Sequence, residues 1–229
     1  MIFPIGDDQV KGGHRPWFSY SFIVLNVLFF LYKFSLNPAQ QEAFDFYFGA
    51  VPNEITRGQD LFTLATSMFV HGDWWHLIGN MLFLWVFADN IEATVGSLKF
   101  LLFYLLGGFL AVVAHIWFNQ GSEVPMVGAS GAISAVMGAY LVMFPTSRIK
   151  MIFLVFPFRI TAWIFLGLWI VQQWSYGTSS QASETGGGVA WWAHIGGFAM
   201  GLVAGLFFRT TGHLDAVELE TGEAEAEEA

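Results

Sequence analysis

An all-α polytopic membrane protein with six transmembrane helices is the fold class the sequence predicts, and three observations carry that reading. Hydrophobic residues make up 55% of the chain and charged residues only 12%, with a mean hydropathy of +0.55, out of line for a soluble domain. Six apolar runs alternate with polar or Gly-rich connections, and the Lys and Arg residues gather on one side of those runs. Cysteine is absent, which excludes a disulfide framework and thiolate chemistry and leaves the redox compartment open. The net charge of −9 is not a global field, because Asp215, Glu218, Glu220, Glu223, Glu225, Glu227 and Glu228 crowd the end of the chain. Residues 210–229 are expected to be a disordered, cytoplasmic, solvated tail with no sign of nucleic-acid binding.

The elements follow in order. Residues 1–16 form a cytoplasmic segment ending in Lys11, His14, Arg15 and Pro16, after which Trp17 to Phe34 is span one. No small-residue cleavage site follows it, so it is expected to stay attached. Residues 37–60 mix Pro38, Pro52, Gly49, Gly58 and several acids with Phe44, Phe46, Tyr47 and Phe48, which suits a structured loop at the membrane interface. A short apolar piece, Leu61 to Val70, leads to His71-Gly72-Asp73. Asp73 is placed to cap span two, from Trp74 to about Ile91, with Glu92 and Gly96 marking its far end. Span three runs from Leu98 to Phe118 and exits through Asn119-Gln120-Gly121-Ser122. Span four is Gly128 to Phe144. A basic connection containing Arg148, Lys150 and Arg159 precedes a short span five, Ile160 to Trp174. A Gly- and Ser-rich loop covers 175–188, and Trp191 to Phe208 is span six, closed by Arg209.

The positive-inside rule orients this bundle. With the N-terminus inside, Lys11, Arg15, Lys99, Arg148, Lys150, Arg159 and Arg209 are cytoplasmic, and Arg57 is clearly outside. Both termini are then cytoplasmic, and spans two, four and six all run inward from the outer face.

That parity brings three polar positions to one depth. Ser130 opens span four between glycines, His194 stands three residues into span six, and His76 stands two residues into span two. At about 1.5 Å per helical residue, all three lie near the outer face. Taken singly, each has a structural reading, since small residues in membrane helices serve close packing and a membrane histidine or asparagine often bonds a neighbouring helix. Agreement in depth across three spans is harder to reach by accident.

Packing supplies a reason for contact. Gly197, Gly201 and Gly205 share the helical face of His194, while Ser134 and Gly138 share that of Ser130, so two small-residue faces can bring Ser130 beside His194. A hydroxyl within reach of an imidazole is an activated nucleophile. His76 and Asn80 lie four apart on one face of span two and can both donate hydrogen bonds to a developing oxyanion. The Ser130 backbone N–H at a helix N-terminus is a further donor. No carboxylate stands at the depth of His194 in spans four or six, so the residues suggest a Ser–His dyad.

These residues resemble the rhomboid intramembrane serine proteases. The resemblance rests on H-x-x-x-N at His76 to Asn80, G-x-S-G at Gly128 to Gly131 and A-H-x-G-G at Ala193 to Gly197, in that order on spans two, four and six. It covers about 17–209 and implies the six-helix rhomboid-like bundle, with Ser130 as nucleophile and His194 as general base. It also implies an oxyanion site of His76, Asn80 and the Ser130 backbone, with Gly128 giving clearance to a substrate backbone. Its substrates would be single-pass membrane proteins cleaved in or near a transmembrane segment of easily unwound helix. No cofactor and no metal are implied, the bilayer is the setting, and a plasma or inner membrane location is expected. Two positions depart from the pattern: Ser134 stands where some members carry a tyrosine that stacks on the histidine, and Thr56 precedes Arg57 where some carry a Trp-Arg pair.

Glu92, His115 and Asn26 are expected to be structural. The grouping of His71, Asp73 and His76 is not read as a metal cluster, because H-E-x-x-H and cysteine are absent and Asp73 suits a cap. A catalytically silent rhomboid-like binder of membrane helices would not need both Ser130 and His194. A transporter would be expected to show an internal repeat or a midplane charged pair.

Overall fold

The computed structural model describes residues 2–8, 10–11, 13–181, 189–211 and 218–219. Helices dominate it: α1 (Trp17–Phe34), α2 (Pro38–Phe48), α3 (Pro52–Thr56), α4 (Thr63–Thr66), α5 (Trp74–Val95), α6 (Ser97–Phe118), α7 (Ser130–Met143), α8 (Ala162–Gln181) and α9 (Trp191–Thr210). Of these, α1, α6 and α9 are long and apolar enough to cross a membrane, and α7 is a shorter apolar helix.

Local chemistry starts and stops them. The Asn37 side chain accepts from the Gln40 N–H at 3.0 Å while the Gln40 side chain accepts from the Asn37 N–H, a reciprocal cap that starts α2 at Pro38. Asp73 accepts from the backbone N–H groups of Trp75 and His76 at 2.8 and 3.0 Å, the cap expected of it. Gly96, at a positive φ of 87°, turns the chain directly from α5 into α6. Where the structured first loop was expected, α2 and α3 stand. Lys33 donates to Asp45 at 2.6 Å and to the His71 carbonyl at 3.0 Å, tying the end of α1 to α2 and to the segment entering α5. Burial raises the Asp45 carboxyl above its ordinary range, against the opposing pull of Lys33.

The core is built around α7, whose residues from Gly131 to Tyr140 are all buried between α5, α6, α8 and α9. Glu92 is fully buried and takes the backbone N–H groups of Phe18 and Ser19 at 2.9 and 2.7 Å, together with the Ser19 hydroxyl. It therefore satisfies donors at the start of α1 that the helix itself leaves open, the structural role expected of it. Asn26 donates to the Phe22 carbonyl within α1.

Three features differ from the sequence reading. The basic connection after α7 is a β-hairpin, β3 (Arg148–Phe153) and β4 (Phe156–Thr161), with Phe153 opposite Phe156. A strand from the N-terminal segment, β1 (Ile2–Gly6), pairs antiparallel with β3, so the bundle carries a three-stranded sheet and is not wholly helical. Asp7, just past β1, accepts from Asn90 of α5 at 2.7 Å and from the Tyr140 hydroxyl of α7, which fixes that segment to the bundle. Finally, α8 begins two residues later than expected and continues through Gln181, into the stretch read as loop. Of the acidic tail, Glu218–Leu219 (β5) pairs with Val10–Lys11 (β2); 212–217 and 220–229 lie outside the described residues.

Candidate active site

Helices α7 and α9 are pressed together by their small residues. A Cβ on Gly197 would overlap the Gly131 carbonyl oxygen, one on Gly201 the Ala135 oxygen, and one on Gly205 would stand 2.9 Å from Ala139. The matching steps of four show two parallel helices whose backbones touch through side-chain-free surface. The contact row on α7 is Gly131, Ala135 and Ala139, one position round from the expected Ser130 and Ser134, with Gly138 meeting the Phe198 carbonyl beside it. That rotation turns Ser130 from the seam toward the open cavity. At the end of α9 where His194 stands, Trp192 stacks on Phe118 of α6 with ring centroids 3.8 Å apart, which anchors that end.

The result is a Ser130 Oγ to His194 Nε2 distance of 2.8 Å, between residues 64 apart in sequence. Ser130 is the first residue of α7, so its N–H lacks a partner within the helix. The other imidazole nitrogen, Nδ1, lies 2.7 Å from Oε1 of Gln173 on α8. The His194 ring is flanked by Trp169 of α8, at a centroid separation of 5.9 Å and 34° between planes, and by Trp191 at its edge. Ser134 does not replace the family tyrosine against this ring; its hydroxyl donates back to the Ser130 carbonyl at 2.6 Å. The aromatic neighbour Trp169 comes instead from a different helix, α8.

Ser130 and His194 border a cavity of about 1070 Å³, which His76, Asn80, His115 and Trp169 also line. Gly128 stands at φ +127°, and a Cβ there would sit 2.7 Å from two ring atoms of His76 and 3.6 Å from Asn80 Nδ2. Its backbone thus passes against the pair that α5 presents. One Asn80 amide hydrogen is directed to His71 Nε2, 2.9 Å away. Burial first, then the charge of His76, pushes His71 down to about 3, so its imidazole is neutral and can accept there. The second amide hydrogen of Asn80 stays available to the cavity.

Ser130, His194, His76 and Asn80 therefore line one space, with Gly128 against His76 and Gly197, Gly201 and Gly205 in the seam between α7 and α9. Gln173, Trp169 and His71 were not anticipated as parts of it. The signal that could have found Gln173 is a long polar side chain near the end of an apolar helix, four residues after a tryptophan. Sequence offers His71 only as a metal-ligand candidate and His115 only as structural, yet His71 bonds Asn80 and His115 lines the cavity.

Comparison with known proteins gives the family. The family profile described as a rhomboid domain matches residues 58–211. The chain is 36% identical over 128 residues to rhomboid protease GluP of Bacillus subtilis, covering 56% of this chain and 24% of that protein. It is 29% identical over 150 residues to the mitochondrial rhomboid protein 1 of Saccharomyces cerevisiae, covering 63% and 41%. It is 31% identical over 160 residues to the human mitochondrial presenilin-associated rhomboid-like protein, covering 66% and 38%. The matches thus extend over less than half the length of these relatives. With a matched domain that spans most of the chain, apolar membrane-length helices and the three motifs gathered at one cavity, the chain belongs to the rhomboid family.

Proposed function

We propose that this chain is an intramembrane serine endopeptidase of six spans that cleaves transmembrane segments of single-pass membrane proteins. The observation that carries the reading is the 2.8 Å approach of Ser130 Oγ to His194 Nε2 at a cavity within an apolar helical bundle. In this reading His194 takes the Ser130 proton as Oγ attacks the scissile carbonyl. The developing oxyanion is met by the Ser130 N–H, the free Asn80 amide hydrogen and His76. The imidazolium then protonates the leaving amine, and water, activated by the same base, hydrolyses the acyl-enzyme. Gly128 leaves room for the substrate backbone beside His76. With the positive-inside orientation, both termini face the cytoplasm and the site lies near the outer face of a plasma or inner membrane.

Purified protein in detergent is expected to react at Ser130 with a fluorophosphonate probe and to cleave a model transmembrane substrate. Ser130→Ala and His194→Ala should each abolish cleavage; retention of cleavage in either would sink the dyad.

A further inference from the structure

Gln173 is a buried polar side chain, 4% exposed, on the otherwise mostly apolar helix α8. Leaving an amide in such surroundings is costly unless its polar atoms are engaged. Its Oε1 is engaged by one group, His194 Nδ1 at 2.7 Å. Trp169 lies one helical turn earlier on the same face of α8 and rests against the same imidazole. One helix thus places two side chains beside the histidine.

We propose that Gln173 is the positioning residue of a Ser130–His194–Gln173 relay, an inference that rests on the protease reading above. A neutral imidazole carries one N–H, and an acceptor at Nδ1 fixes that proton there. The Nε2 lone pair then faces Ser130 Oγ, the arrangement in which His194 can take the serine proton. An amide oxygen does this without placing a second charge in a low-dielectric site, which a carboxylate would do. The same oxygen continues to accept from Nδ1–H once Nε2 is protonated, so it supports the imidazolium that forms during attack. Ser130, His194 and Gln173 come from α7, α9 and α8, and Trp169 from α8 limits rotation of the ring out of line. Among the described residues, the other titratable groups facing His194 are His76 from α5 and His115 from α6, and both are untouched by the variants below.

The test uses the whole chain in detergent with a transmembrane peptide substrate. Gln173→Met keeps the shape of the side chain and removes the acceptor oxygen; kcat should fall about 10- to 100-fold with KM little changed, the scale of losing a group that orients a reacting ligand. Gln173→Glu keeps the acceptor and should retain kcat within about tenfold, with the acid limb of the pH–rate profile displaced to higher pH because a carboxylate favours the imidazolium. Wild-type kcat and pH profile in Gln173→Met would overturn the role, as would equal losses in both variants with an unmoved profile, which is the mark of packing alone. Nitrogen NMR on histidine-labelled wild-type protein, with the His194 signal assigned by its loss in His194→Asn, needs neither variant to fold. It should show the Nδ1–H tautomer, and an Nε2–H tautomer would refute the proposal. Cleavage that survives Ser130→Ala would instead overturn the protease reading, so the two failures are distinguishable.

Discussion

The Ser130 hydroxyl, the His194 imidazole and the Gly128 backbone each show how little freedom the site leaves to a single residue. Gly128 combines a positive φ with direct approach to the His76 ring, so a side chain there is excluded on both conformational and steric grounds. Gly128→Ala should therefore reduce kcat by about tenfold or more by displacing His76, since small misplacements at a reacting centre are costly. The thermal transition should fall as well, by the strain and overlap that a Cβ brings, about 1–2 kcal/mol. Wild-type turnover in this variant, measured on the same transmembrane substrate, would show that the His76–Gly128 approach does not bear on catalysis. At Ser134 the side chain turns back on its own helix, and the ring contact expected from the family tyrosine comes from Trp169. Position-by-position resemblance had no means of placing Trp169 beside His194, because Trp169 lies on another helix.

At the scale of elements, α7 and α9 were legible because their small residues recur every four positions, and the start of α5 was legible because Asp73 announces its cap. The hairpin was not. Arg148-Ile149-Lys150-Met151 alternates as a strand should, yet its turn, Leu154-Val155, lacks the Gly or Asn that signals a two-residue connection. Leu154 adopts φ +56° while 68% exposed, a left-handed conformation that a leucine reaches only at a cost. Leu154→Gly should relieve that strain and stabilise the protein by about 0.5–1 kcal/mol, after the entropic cost of glycine. Thermal unfolding in detergent checks it, and a lowered transition would mean that the leucine side chain itself holds the hairpin. The far end of α8 was missed for a related reason: Ser175 to Gln181 is polar, and the continuing helix there carries no apolar signal.

For the whole molecule, the site exists only because the bundle closes on it. Ser130 and His194 touch across the α7–α9 seam, so anything that widens the seam should separate them without altering a reacting group. Gly201→Leu would push its side chain into the Ala135 backbone two turns below His194. Activity is expected to fall at least about tenfold, with destabilisation of about 1–3 kcal/mol from overpacking. Full activity in that variant would show that the seam does not set the Ser130–His194 distance. The N-terminal segment takes part in the same closure from the opposite end: β1 extends the hairpin sheet, and Asp7 bonds Asn90 and Tyr140 between α5 and α7.

The sequence by itself determined the membrane class, the order of the apolar helices, the candidate residues Ser130 and His194 and the glycine faces that let them meet. Those features are written in local composition and in helical periodicity, which need no knowledge of what lies across the bundle. Only the tertiary structure decided that α7 meets α9 through Gly131, Ala135 and Ala139, that α8 supplies Gln173 and Trp169 to His194, and that His71 occupies one of Asn80's hydrogens. Each of these depends on the rotation of one helix about its axis relative to another. That rotation is settled by the packing of all the helices together and by which buried polar atoms find partners, not by any single stretch of chain.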